Sequence, residues 1–206
     1  MKVLELFAGT GSVGKICKSR GWDVVSLDLK NADINVNILD WDYTTFSKEE
    51  FDIVWASPPC NTFSVGRLCW MGKTLKGGRV VTPQLIIDEM EQFGLPLLNK
   101  AREIIEYFNP RLWFIENPQT GRMKNYITDL PFYDVDYCMY GFEYKKRTRI
   151  WTNLEGFDAK ICNKKCGSMI GNKHIRSVCN SKYSLPIPRL NQRYSIPSSL
   201  VEGLLN

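Results

Sequence analysis

Three strand-like runs near the start of the chain end in a glycine turn, an acid, and an acid beside an aromatic ring. Lys2-Val3-Leu4-Glu5-Leu6-Phe7 reads as a strand and Ala8-Gly9-Thr10-Gly11-Ser12 as a glycine turn. The segment after it places Val13, Ile16 and Cys17 on one side of an amphipathic helix. Gly9 and Gly11 tolerate positive φ and let a ligand approach the backbone, while the helix start offers unpaired N–H groups. With Gly14 the spacing formally matches Gly-x-Gly-x-x-Gly, a weak signal by itself. Asp23-Val24-Val25-Ser26-Leu27-Asp28 is a second strand, and its final acid suits ribose hydroxyls. A third short strand over Ile34 to Leu39 ends at Asp40-Trp41, an acid for an adenine amino group and a ring to cover the base. Singly, each acid is ordinary turn chemistry. In succession they describe a nucleoside site at the carboxyl edge of a parallel sheet.

A fourth apolar run, Phe51-Asp52-Ile53-Val54-Trp55-Ala56, leads into Ser57-Pro58-Pro59-Cys60-Asn61-Thr62-Phe63-Ser64. Two prolines fix the backbone, so the next side chain leaves the strand in a set direction. That side chain is Cys60, which is either a nucleophile or an ordinary buried thiol. The stretch from 65 to 82 carries Gly66, Gly72, Gly77 and Gly78 with Arg67, Lys73, Lys76 and Arg79. It lacks periodicity and reads as a mobile basic lid.

Helical patterning resumes at Leu85, Ile86 and Met90, is expected to break at Gly94-Leu95-Pro96, and runs on to Phe108 before Asn109-Pro110. Leu112-Trp113-Phe114-Ile115 is a fifth strand, delivering Glu116-Asn117-Pro118 at its end. A short helix is expected near 120–128, then strands over Tyr133–Tyr140 and Arg149–Thr152. Between those strands Lys145, Arg147 and Arg149 alternate, which puts them on one face of an extended segment, gripping phosphate or a base oxygen or lying in solvent. Cys162, Cys166, His174 and Cys179 have the ligand types of a structural zinc site; free thiols are the competing reading. A closing helix is expected after Pro197.

Charge is unevenly spread. Residues 1–139 hold 15 Lys+Arg against 18 Asp+Glu, whereas residues 140–195 hold 12 against 3. A block of net charge +9 points to a polyanionic partner such as nucleic acid, or else forms a solvated basic face. The N-terminus is too short and charged for a signal peptide, and no apolar run spans a membrane, so a soluble intracellular protein is expected. Seven scattered cysteines fit a reducing compartment.

Leu4-Glu5-Leu6-Phe7-Ala8-Gly9-Thr10-Gly11, Ser57 to Ser64, Ile115-Glu116-Asn117-Pro118 and Arg147-Thr148-Arg149 follow one another in a recognisable order. The chain resembles the cytosine-C5 DNA methyltransferases, above all the short forms of phages and large viruses, over about residues 1–152. The resemblance implies an α/β fold, a Rossmann-like sheet with a small basic recognition insert. It implies a catalytic domain over 1–152, a target-recognition-like region over 153–190, and a C-terminal helix over 191–206 packing back. It implies S-adenosylmethionine bound by Phe7, Ala8, Gly9, Thr10, Gly11, Asp28, Asp40, Trp41 and Pro58. It also implies a nucleophile in Cys60, a cytosine-binding acid in Glu116, arginines acting at the site in Arg147 and Arg149, and DNA contacts from Ser64, Arg67, Lys145 and Lys146. Pro118 stands where the family usually has Val, and Lys145 where it has Gln. The implied reaction is methylation of C5 on a flipped cytosine through a Cys60–C6 adduct. RNA methylation and a catalytically silent nucleic-acid-binding relative are the alternatives. The short recognition region leaves room for a protein partner in target choice, and a phage or viral origin puts the enzyme in bacterial cytoplasm or an infected host cell.

Overall fold

Strand pairing follows directly from the apolar runs. The computed structural model describes residues 1–178, 185–186 and 190–206. Its strands are β1 (Lys2–Leu6), β2 (Asp23–Asp28), β3 (Ile34–Asn35), β4 (Ile53–Ala56), β5 (Leu112–Pro118), β6 (Phe132–Asp136) and β7 (Arg147–Thr152). They form one sheet in the order β3-β2-β1-β4-β5-β7-β6. The first five are parallel; β7 runs antiparallel to both β5 and β6. The strand order reverses between β1 and β4, and at such a switch point the loops splay apart and leave a crevice.

Helices cover both faces. On one face α1 (Ser12–Ser19) buries Val13 and Cys17 over Val3, Trp55 and Phe114, and the last helix packs there too. On the other, α3 (Leu95–Phe108), preceded by α2 (Pro83–Glu89), lays Leu98, Ala101, Ile104 and Phe108 over Leu4, Leu6, Val54 and Ile115. The short α4 (Leu190–Tyr194) precedes α5 (Ser198–Leu204). Arg20, at the end of α1, donates to the carbonyls of Leu205 (2.9 Å) and Glu202 (3.1 Å) and so ties α5 down.

Several elements differ from the sequence expectation. The pattern does not break at Gly94: a π-turn over Met90–Gly94 joins α2 to α3. Pro96 has no N–H to give to a preceding carbonyl, and the wider turn accommodates that loss. The third strand stops at Asn35, followed by a 3-10 turn over Ile38–Asp40 that Asn37 caps. Met123–Asn125 forms a single 3-10 turn where a helix is expected, and β6 gives way to another over Tyr137–Tyr140. The glycine-rich stretch carries a 3-10 turn over Val65–Trp70 and a Thr74–Val80 bridge, local structure that leaves the lid reading open.

Past the sheet lie β8 (Met169–Ile170), β9 (Lys173–His174), β10 (Arg176–Ser177) and β11 (Leu185–Pro186). Between residues 153 and 178 only Cys162 is buried, so this insert has no apolar core of its own. No helix among the described residues is long and apolar enough to cross a membrane.

Candidate active site

The carboxyl ends of β1, β2, β4 and β5 surround a cavity of about 710 Å³. Its floor at β1 is made by backbone that few side chains tolerate. Phe7 and Gly9 have positive φ (58° and 53°); Gly11 (64°) caps α1 and, against expectation, is not among the cavity-lining residues. Asp28 steadies this turn by accepting from the Gly9 N–H at 2.9 Å, while its other oxygen accepts from Leu29 N–H at 2.6 Å. Phe7, Ala8, Gly9, Thr10, Asp28 and Pro58 all line the cavity.

Glu5 has a part that the sequence reading did not assign. It is buried in β1, and its carboxyl accepts from Val13 N–H (3.1 Å) and Gly14 N–H (3.0 Å), closing the first turn of α1 from below. Burial pushes its pKa up to about 7 against the pull of those two amides. A Cβ on Gly14 would stand 2.6 Å from Glu5 Oε2, so the third glycine serves this contact rather than a ligand. An acid inside an otherwise apolar strand was the available signal.

Asp40 and Trp41 are not among the cavity-lining residues. At that strand end the lining comes from Val36, Asn37, Ile38 and Leu39. The early stop of β3 turns Trp41 onto Tyr43 and Phe46, with ring centroids 6.1 Å and 5.9 Å away.

On the far side Cys60 leaves β4 behind its two prolines and faces the same cavity. Asn117 holds that loop in place, donating from Nδ2 to the Pro58 carbonyl at 2.9 Å. Its Oδ1 is buried and has no hydrogen-bond partner among the described residues. Glu116, buried beside it, accepts the Tyr137 O–H at 3.0 Å and has Lys146 Nζ at 3.6 Å from the same oxygen. The Cys60 thiol is pushed up, first by burial and then by the Glu116 charge, with Lys146 pulling it down.

Among the described residues, the cationic side chain lining this cavity is Lys146. Strand parity explains why neither arginine takes that place. Ile150 sits opposite Glu116 and Thr148 opposite Pro118, so the even residues of β7, and Lys146 just before it, share the face of Glu116. Arg147 and Arg149 point the other way, to cross-strand acids. Arg147 pairs in a fork with Asp136 (3.0 and 2.7 Å) and Arg149 with Asp134 (2.8 and 2.9 Å). Lys145 also lies on Asp136, at 3.4 Å. The three do share a face, as the alternation implies, but that face carries acids and not the cavity. Ser64 lines the cavity and caps the following 3-10 turn, and Arg67 is in an ion pair with Glu89 of α2.

Away from the cavity, Cys138, Cys162, Cys166 and His174 bring three sulfurs and an imidazole nitrogen within 4.8 Å of one another. Cys138 supplies the fourth member where the sequence reading had Cys179, which lies outside the described residues.

No family model matches the chain. Over its full length, in an alignment of 217 positions, it is 43% identical to a protein of Frog virus 3 (isolate Goorha) named "Probable DNA (cytosine-5)-methyltransferase", of which 99% is covered. The chain belongs to the DNA cytosine-C5 methyltransferase family. Among solved structures, the Entamoeba histolytica methyltransferase EhMeth is 13% identical with a TM-score of 0.49, covering 79% of this chain and 55% of that one. A mutant of Spodoptera frugiperda DNMT2 is 17% identical with a TM-score of 0.45, covering 77% of this chain and 53% of that one. The methyltransferase chain thus spans about half the length of these solved structures.

Proposed function

We propose that this methyltransferase modifies C5 of cytosine in DNA, with Cys60 as nucleophile, Glu116 as the acid at the ring edge and Lys146 as the charge that favours the thiolate. The observation that carries the reading is that Cys60, Glu116 and Lys146 line one cavity with Gly9 and Asp28. The cavity is within the usual size range of small-molecule sites. The strained Phe7–Gly11 backbone and the Asp28 carboxylate suit a nucleoside methyl donor, and on that ground we assign the cavity to S-adenosylmethionine.

When bound, S-adenosylmethionine supplies an electrophilic methyl group. Cytosine C5 is a poor nucleophile toward it, and attack of the Cys60 sulfur on C6 turns C5 into an enamine-like carbon. Negative charge then builds toward N3 and O2, where a proton or hydrogen bond from Glu116 relieves it. Tyr137 and Lys146 position that carboxyl from two sides. Partial burial of Cys60 disfavours its ionised form, and the Lys146 ammonium is a local group that offsets this cost. After transfer, loss of the C5 proton and expulsion of the Cys60 thiolate restore the aromatic base. A duplex hides C5 and C6, so the base is flipped out before reaction.

The test is incubation of the protein with unmethylated DNA and labelled S-adenosylmethionine, then cytosine-conversion sequencing. Label at C5 of cytosine in DNA, lost in Cys60→Ala, is the expected result. Label confined to RNA in a direct competition would move the assignment to RNA. Salt-dependent DNA binding with no label on either would make the chain a silent relative. Full turnover by Cys60→Ala would remove the nucleophile assignment.

A further inference from the structure

The start of the insert packs Leu154, Phe157 and Ala159 against the core of the sheet, but the rest has little apolar burial to hold it. Across 153–178 only Cys162 is buried, while Lys160, Lys164, Lys165 and Lys173 add positive charge. Small units with so little apolar core commonly rely on a covalent or metal staple. The described residues that converge there are three free thiols and the chain's only histidine.

We propose that Cys138, Cys162, Cys166 and His174 bind one structural Zn²⁺, and that this ion fastens the basic insert to the catalytic sheet. Tetrahedral zinc with ordinary Zn–S and Zn–N lengths has sulfur–nitrogen edges of about 3.6 Å. The His174 Nε2 lies 3.5 Å from Cys162 Sγ and 3.3 Å from Cys166 Sγ. Three thiolates and one imidazole form a closed structural set with no open position, and the softness of the donors selects zinc over magnesium or calcium.

The surrounding backbone is built for such a site. Lys164 takes positive φ (67°), which brings its N–H to 3.3 Å from Cys162 Sγ. An N–H donated to a ligand sulfur is the kind of outer contact that orients metal ligands. The β8–β9 hairpin, with Gly171 at positive φ in its turn, sets His174 opposite Met169. Cys162 N–H donates to Asp136 Oδ2 at 2.8 Å, so a ligand from the insert is bonded to the strand that precedes Cys138.

Cys138 makes the site more than a knuckle internal to the insert. It lies in the turn directly after β6, in the part of the chain that carries Cys60 and Glu116, whereas the other three ligands belong to the insert. Metal binding therefore closes a loop between sheet and insert and positions the basic segment beside Lys145 and Lys146. The four ligands fill the coordination shell without Cys179.

The test is metal analysis of the full chain, purified without chelator, by native mass spectrometry and elemental analysis. One zinc per chain is expected, retained in Cys179→Ser and reduced at least tenfold in Cys138→Ser and in Cys166→Ser. Cys166 is only half-buried, so its variant carries the test if Cys138→Ser fails to fold. Cobalt substitution should give the visible bands of a tetrahedral thiolate-rich site, absent from the Cys166→Ser protein. A protein that holds no zinc and takes none up at micromolar Zn²⁺ would overturn the proposal. So would a disulfide among these cysteines, or loss of metal in Cys179→Ser with retention in Cys138→Ser.

Discussion

Cys60 lies between two opposing charges, and under the proposed mechanism the balance between them sets the pH at which it reacts. Burial and Glu116 raise its pKa while Lys146 lowers it. Removal of the lysine therefore raises the pKa further and moves the rising limb of the kcat/KM profile to higher pH. For Lys146→Met we expect the limb to move to higher pH, with a roughly tenfold loss near neutrality. Arg147→Met should move the limb less, because its guanidinium is engaged by Asp136. Complete pH–rate profiles of both variants check this, and a larger shift for Arg147→Met would return the cation role to the arginine. Glu5 gives a second test at this scale. Its carboxyl titrates near 4.5 in an unfolded chain and at about 7 in the fold, so the folded state holds the proton longer. Stability is then greatest below about pH 4.5 and declines as pH rises through the folded value. Glu5→Gln removes that decline. Relative to the parent protein it should gain up to about 3 kcal/mol between acid and neutral pH, read as the change in urea midpoints.

Elements set these residues in place, and they are where the sequence was least legible. Strands β1, β2, β4 and β5 were readable as apolar runs, and so were the glycine turn and the Cys60 and Glu116 strand ends. Each is a local pattern that the fold leaves intact. The outcome for Arg147 and Arg149 was not readable, because alternation shows that two side chains share a face without showing which one. That choice depends on the pairing register, with Asp134 and Asp136 opposite the arginines and Ile150 opposite Glu116. Asp40 and Trp41 missed the cavity for a related reason: β3 is two residues long and its continuation coils into a 3-10 turn. Gly94 read as a break because glycine and proline weaken a helix locally, yet packing against the Cys60 loop holds the segment in a π-turn. A Cβ there would lie 2.4 Å from Thr62 Oγ1 and 3.0 Å from the Phe63 ring. Gly94→Ala should consequently destabilise the protein by about 1–3 kcal/mol despite alanine's better helix propensity. Thermal denaturation decides it, and an unchanged or raised midpoint would show that the loop yields freely.

At the scale of the whole molecule, the basic block crosses the structural division: it begins on the seven-stranded sheet and runs on into the insert. The seven-stranded unit supplies the cavity, and residues 140–195, with net charge +9, include β7 of that unit as well as the insert. Part of that charge is internally matched, since Lys145 and Arg147 meet Asp136, Arg149 meets Asp134 and Arg176 meets Glu143. The exposed Lys164 and Lys165, on the Cys162–Cys166 loop, have no acid within ion-pair distance among the described residues. Under the DNA reading they are candidates for phosphate contact, which releases counterions and carries no base information. Lys164→Gln with Lys165→Gln should weaken DNA binding equally for all sequences and lower the slope of log K against log salt by up to about two. Methyl transfer at saturating DNA should stay near the parent rate, because neither side chain reaches the cavity. Fluorescence anisotropy over a salt series, together with saturating kinetics, separates the two effects. An unchanged slope would place the DNA on another face of the protein, and a loss of affinity confined to particular sequences would make these lysines readers of base identity.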